Sequence, residues 1–242
     1  MNKLILCEGK TDAILLSYYL EKICGWVYSR KGPKSVQIQG DESAGETVNW
    51  YRKESDYLLI CAVGSKNRFQ TFYDSKIHRP LIDSDAFSKI AVIIDHDDES
   101  TADIEAKIQT ELSFVASQSV NGRWVTHEYR NTYHQLQELS FLLQIIPDEH
   151  QGALETLLLD AISEDGYDKN IVDKSKAYVD AIAPEAARYI GRRRLITKAY
   201  LGVTWAIQSP QKVFTHIDDQ LRSVHWETSG VLSECFREIV KI

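Results

Sequence analysis

The apolar positions of the chain form two kinds of pattern. Residues 3–7 (KLILC), 56–63 (DYLLICAV) and 90–94 (IAVII) are short, unbroken apolar runs. Runs of this length, rich in leucine and β-branched residues, predict strands buried on both faces, as in a parallel sheet. Between them the period changes. Ala13, Leu16, Leu20 and Ile23 repeat at helical spacing, with Thr11-Asp12 opening the helix and Gly25 stopping it. Ile104, Ile108, Leu112 and Val115 make a second helical stripe over residues 103–116. Residues 35–39 alternate as a strand, and residues 44–54 suit a helix with Val48 and Tyr51 on one face. The polar stretch 66–85 reads as partly helical.

The second half is different. Residues 124–129 and 140–146 read as further strands, and beyond His150 the pattern turns helical. Leu154, Leu157, Leu158 and Ile162 share one face, and Ala177, Val179 and Ile182 another. Pro184-Glu185-Ala186 is a good helix start, and that helix is expected to run to about Gln208 through Gly191 and Gly202. Shorter helices over 213–224 and 231–239 complete the chain. Strands alternating with helices indicate a mainly parallel sheet with helices on its faces. The expected organisation is an α/β domain over residues 1–165 and a helical extension over 166–242 packed on it.

Composition narrows the class. With 242 residues, 43% hydrophobic and 26% charged, the chain can bury a core without disulfides or a structural metal. A net charge of −7 excludes a protein that coats nucleic acid by bulk charge, so any phosphate-binding surface must be local. Cys7, Cys24, Cys61 and Cys235 have no metal-ligand spacing and read as reduced core thiols of a cytosolic protein. Residues 1–6 lead straight into a strand, with no basic region or cleavage site, and no apolar stretch reaches transmembrane length. A cytoplasmic protein without a membrane partner is expected.

Candidate chemistry lies where the strands end, since ligands of parallel sheets bind at the carboxyl ends of the strands. Glu8 ends the first run, Gly64 follows the middle one, and Asp95 follows the third. Asp95-His96-Asp97-Asp98-Glu99 places four acids in five residues. Like charges this close raise one another's pKa, and a divalent cation relieves them. Mg²⁺ (or Mn²⁺) suits oxygen ligands and keeps waters that phosphate oxygens can replace. The alternate spacing puts Asp95, Asp97 and Glu99 on one side if the chain stays extended. The plainer alternative is a solvated acidic loop, with Asp98 and Ser100 capping the next helix. Gly9-Lys10-Thr11 is no nucleotide loop, because the P-loop glycine position is occupied by Leu4.

At these residues the sequence resembles the Toprim superfamily, which includes topoisomerases, primases, the ribonuclease that matures 5S ribosomal RNA, and the overcoming-lysogenization-defect (OLD) nucleases. Glu8-Gly9-Lys10-Thr11-Asp12 matches the first motif in its OLD-like form, Gly64-Ser65-Lys66 the second, and Asp95-His96-Asp97-Asp98-Glu99 the third. The resemblance covers roughly residues 1–130. Pro147-Asp148 followed by Gly152-Ala153-Leu154-Glu155 is further similar to small stand-alone prokaryotic Toprim-like proteins related to OLD nucleases. Asp168-Lys169 with Lys174 and Lys176 resembles, loosely, a downstream basic segment of that group. The middle motif departs from the usual Gly-Gly, and no ATPase, topoisomerase or primase flank accompanies it.

The resemblance implies Mg²⁺-dependent phosphodiester chemistry on DNA or RNA, with an OLD-like nuclease as the expected activity. It assigns Asp95, Asp97, Glu99 and Glu155 to metal. Glu8 becomes the general acid/base or a bridging ligand, and Lys10 and Lys66 balance phosphate charge. A separately encoded ATPase partner and a homodimer are compatible with it. Arg192, Arg193, Arg194 and Lys198 could track a nucleic-acid backbone, as could Arg30-Lys31 with Lys34, although a helical arginine run is commonly a solvated or salt-bridged face. Trp50, Tyr51 and Trp205 read as core. Two other classes stand beside this: a catalytically inactive Toprim module binding metal, nucleotide or a partner protein, and an aspartyl phosphohydrolase, which would leave Glu8 without a role.

Overall fold

Seven strands form one sheet in the order β2-β3-β4-β1-β5-β7-β6. In the computed structural model, which describes residues 2–148, 150–212, 215–222 and 224–242, the chain runs as follows. β1 (Asn2–Cys7), α1 (Lys10–Cys24), β2 (Val27–Ser29), β3 (Thr47–Lys53) and β4 (Asp56–Ala62) come first. α2 (Phe69–Phe72) continues through a π-helical turn into α3 (His78–Ser84), followed by β5 (Lys89–Asp95), α4 (Thr101–Glu111), α5 (Ser113–Ala116), β6 (Arg123–Arg130) and β7 (Leu136–Ile146). The remainder is helical: α6 (Leu154–Ile162), α7 (Gly166–Ile182), α8 (Ala187–Ile190), α9 (Arg193–Gln208), α10 (Ile217–Leu221) and α11 (Gly230–Cys235).

The four central strands β4, β1, β5 and β7 are parallel, and the edges are finished by antiparallel β3, β2 and β6. The continuous apolar runs are explained by this layout, since β1 and β5 are covered on both faces. Alternate residues feed two cores. Ile5, Cys7, Ile60 and Ile93 face α1, α6 and the C-terminal helices. Leu4, Leu6, Leu59 and Ile94 face α2, α3 and α4. Residues on either side of the 165/166 boundary share the first core. Trp226 and Phe236 belong to it, and the Phe236 ring meets Tyr19 edge-on at 5.2 Å. The four cysteines are free, with Cys7, Cys61 and Cys235 buried. Among the described residues no helix is long and apolar enough to cross a membrane.

Several expected elements are corrected. Residues 44–54 are not a helix: Thr47–Lys53 is strand β3, paired antiparallel with β4 through a two-residue turn in which Glu54 has φ 54°. Thr47, Val48, Trp50 and Tyr51 favour a pleated surface, and the partner strand decides between the two periods. Residues 35–39 form no ladder; Val36 and Ile38 are buried from an unpaired segment, and the extra strand is β2. The helix expected from Pro184 to Gln208 is broken at Gly191-Arg192, giving α8 and α9. In α7 the buried stripe is Val172, Ser175 and Val179 rather than Ala177, Val179 and Ile182, and Ile23 of α1 is 46% exposed. Of the expected 213–224 helix, Val213, Phe214 and Ser223 lie outside the described residues, and α10 occupies its middle.

Candidate functional site

The parallel register brings the motif residues to one edge. Cys7 lies opposite both Ala62 and Ile93, so β1, β4 and β5 end at one level. The Gly64 N–H donates to the Glu8 carbonyl at 2.9 Å, and the Asp95 N–H donates to Glu8 Oε1 at 2.9 Å. Gly64 has φ +96°, and a Cβ there would fall 2.2 Å from the Ala44 carbonyl oxygen. Only glycine fits that turn, which explains the glycine of the middle motif.

Each carboxylate has a defined setting. Glu8, Asp12 and Asp95 are 4%, 8% and 3% exposed. Asp12 Oδ2 accepts from the Gly9 N–H at 2.7 Å, across the first turn of α1. Asp95 Oδ1 accepts from the Leu154 N–H at 3.1 Å, at the start of α6. Its Oδ2 faces the Arg194 guanidinium at 3.3 Å. After Asp95 the chain does not stay extended. Asp97 adopts φ 51° and the Glu99 N–H turns back to the His96 carbonyl at 3.3 Å. Asp97 and Glu99 therefore leave the line of Asp95 and meet Lys66, whose Nζ lies 3.3 Å from Asp97 Oδ2 and 2.8 Å from Glu99 Oε1. Lys66 Nζ also donates to the Asp95 carbonyl at 2.8 Å. Ser100 caps α4, its Oγ accepting from the Asp103 N–H at 3.1 Å.

Glu155, on α6, is 8% exposed; one oxygen pairs with Lys198, and Oε2 is buried without a partner. Arg193 pairs with Asp98. Three of the four expected nucleic-acid contacts are thus counterions of the acids, while Arg192 is exposed ahead of α9. Lys10 stands apart: it is exposed and lines a different cavity with Tyr28, Asn49 and Arg222. A small cavity of about 40 Å³ lies beside the acids, lined by Asp97, Asp98, Gly152, Thr156, Arg193 and Arg194. A cleft of about 800 Å³ near Trp205 and Trp226 holds none of the motif acids.

Burial dominates the electrostatics. It pushes the Asp12 carboxyl up to about 7, with Asp95 adding to the rise and the Gly9 N–H opposing it. Burial raises Glu8 likewise, against the bond from the Asp95 N–H and with help from Asp12. Asp95 is raised by burial and by Glu8, with Arg194 opposing. Lys66 stays above the ordinary lysine value, because Glu99 and Asp97 outweigh the effect of its burial. In all three acids burial is the largest cause of the rise, and neighbouring carboxylates add to it.

Residues 2–227 match the family model described as "Protein of unknown function (DUF3226)". The chain belongs to that family. No curated protein matches it. Among solved structures, the hypothetical protein PH0156 from Pyrococcus horikoshii OT3 is similar over 98% of this chain and 99% of that one, with 18% identity and a TM-score of 0.45.

For this DUF3226 member the fit to a divalent cation is tested on the residues themselves. The donors are all oxygen, the acids are held high by burial and one another, and Glu155 Oε2 lacks a partner. That chemistry suits Mg²⁺. As arranged, no three acidic, histidine or cysteine side chains among the described residues are grouped to hold a metal. Guanidinium and ammonium groups engage the oxygens instead. Sequence reasoning missed Asp12 as a member of the site, although it stands in the first motif. It also missed the counterion role of α9, since a pair separated by 99 positions, such as Arg194 and Asp95, leaves no local signal.

Proposed function

We propose that this DUF3226 chain is a cytoplasmic, Toprim-type, Mg²⁺-dependent enzyme acting on phosphodiester bonds of DNA or RNA, with nuclease activity as the reaction. The observation that carries the reading is the convergence of Glu8, Asp95 and Glu155 at one sheet edge, buried, with the Glu155 Oε2 oxygen unpartnered. Asp95, Asp97, Glu99 and Glu155 would hold the metal. When bound, Mg²⁺ supplies electrostatic stabilisation of the reacting phosphate and a more acidic water.

The chain's own residues have separable tasks. Glu8, buried and raised to about 7, can give up or take up a proton near neutral pH. The Leu154 N–H and the Asp95 N–H fix the orientations of Asp95 and Glu8. Lys66, which meets the Asp95 carbonyl and Asp97, is the basic group assigned in this reading to phosphate charge. Lys10 is dropped from that role because of where it sits. A second reading, an inactive module that binds metal, nucleotide or a partner protein, is favoured by one observation: cations already engage Asp95, Asp97, Glu99 and Glu155.

Incubation of the chain with labelled DNA and RNA in Mg²⁺ or Mn²⁺ separates the two. Cleavage is expected, with a loss of at least ~10²-fold in both Glu8→Gln and Asp95→Asn, the scale for removing a catalytic acid–base or charge-stabilising group. Full activity in both variants, or none in the parent chain, would overturn the nuclease reading.

A further inference from the structure

The start of α9 is unusual on local grounds. Its N-cap, Arg192, provides no side-chain cap, its first turn holds no acid, and its first two residues are Arg193 and Arg194. Cations are disfavoured at a helix N-terminus, where the peptide dipoles already present positive charge. Here they are held by acids from elsewhere in the chain: Arg193 by Asp98, Arg194 by Asp95, and Lys198, about one turn on, by Glu155. The acids are Asp95 and Glu155 of the proposed metal site and the Asp98 beside it. The helix thus delivers three positive charges and an N-terminus to the place where a metal would sit. Glu155 Oε2, buried and unpartnered, marks a demand for positive charge that these cations leave unmet.

Resting on the proposed metal site, the geometry points to a reciprocal exchange. In the metal-free chain the cations of α9 neutralise Asp95, Asp98 and Glu155. When Mg²⁺ takes Asp95 and Glu155, Arg194 and Lys198 lose their partners and are freed, beside the α9 N-terminus and Arg193, to bind a phosphate group. Metal and phosphate therefore bind with positive cooperativity, and each is a weak ligand without the other. A released arginine at a helix N-terminus, with a freed lysine about one turn on, is a strong oxyanion site. Thr156, in the wall of the small cavity between them, adds a hydroxyl donor, its oxygen accepting from the Ala153 N–H at 3.3 Å. The coupling is reciprocal by thermodynamic linkage, so phosphate must tighten Mg²⁺ by the same factor that Mg²⁺ tightens phosphate.

The test is isothermal titration of Mg²⁺ into the full chain, with and without inorganic phosphate, against chloride at matched ionic strength. The Mg²⁺ dissociation constant is expected to tighten roughly 5- to 150-fold in saturating phosphate, the usual range of site–site coupling. In Arg194→Gln/Lys198→Gln, Mg²⁺ alone is expected to bind more tightly than to the parent chain, and the phosphate effect to fall towards unity. Circular dichroism reports whether that variant folds, and the parent chain's response to phosphate tests the exchange even if it does not. If Mg²⁺ binds the parent chain with the same affinity in phosphate and chloride, or binds the folded variant no more tightly, the exchange is wrong while the metal site stands. If neither protein takes up Mg²⁺ under any condition, the metal site itself is wrong and the exchange falls with it.

Discussion

Glu8 and Asp95 stand at the ends of β1 and β5 and Glu155 in the first turn of α6, whereas three of the cations that meet the acids, Arg193, Arg194 and Lys198, come from α9. Glu8 and Asp95 are 4% and 3% exposed, and backbone N–H groups fix both. The Arg193, Arg194 and Lys198 side chains are 66%, 49% and 45% exposed, on long stems. The difference teaches which half is fixed. The carboxylates are set by the register of β1 and β5 and cannot move without disturbing the core. The cations can change partners at the cost of side-chain rotations.

The sheet half should be where stability is concentrated, and truncation tests that most severely. Leu6 lies in the central strand β1, is fully buried, and packs into the core facing α2 to α4. Leu6→Ala is expected to cost about 2–5 kcal/mol, the range for a cavity in a core that relaxes only partly. Leu195→Ala, in the first turn of α9 at 39% exposure, should cost about 0.5 kcal/mol or less. Urea unfolding of both variants gives the comparison. Equal costs would mean that α9 is as fixed as the sheet.

A second effect is expected from pH. Glu8 and Asp12 both rise to about 7 in the folded chain, from ordinary values near 4.5 and 3.8. Between those values the folded state binds more protons than the unfolded state, so stability falls as pH rises. The stabilisation is fully present below about pH 4 and is lost as pH passes through about 7. Glu46 acts in the opposite sense, because Lys76, the Asp41 N–H and Arg68 outweigh its burial, but only below its ordinary value. In EDTA the urea midpoint should therefore be lower at pH 8 than at pH 5.5. Mg²⁺ at pH 8 should restore it, as a ligand of the folded state alone. A midpoint that rises from pH 5.5 to pH 8 would contradict the burial of uncompensated acids.

The same division runs through what the sequence reveals. β1, β4, β5 and β7 were legible because strands covered on both faces are written as unbroken apolar runs, as in residues 90–94. β3 was not, because Val48 and Tyr51 satisfy a helical spacing while Thr47, Val48, Trp50 and Tyr51 satisfy a strand. Its pairing with β4 is a tertiary fact. Val36 and Ile38 show that alternation reports burial of one side, which an unpaired segment also achieves. The acids were legible as strand-end residues, but their arrangement was not. The left-handed Asp97 turns the loop and gives Asp97 and Glu99 to Lys66 rather than leaving them in line with Asp95.

The cation half supplies the smallest expected effect. In the Arg193–Asp98 pair both side chains are 66% exposed, so the pair is worth at most about 1 kcal/mol. Arg193 is also the first residue of α9, where a positive charge costs about 0.3–1 kcal/mol against the helix dipole. The two contributions oppose each other and nearly cancel. Arg193→Gln is therefore expected to move the thermal midpoint by less than about 2–4 °C, the shift that corresponds to 1 kcal/mol in a chain of this size. Arg194→Gln should move it further, because it removes the counterion of the buried Asp95. If Arg193→Gln lowered the midpoint as much as Leu6→Ala, the start of α9 would be held as tightly as the sheet. Its arginines would then be structural counterions rather than groups free to exchange partners.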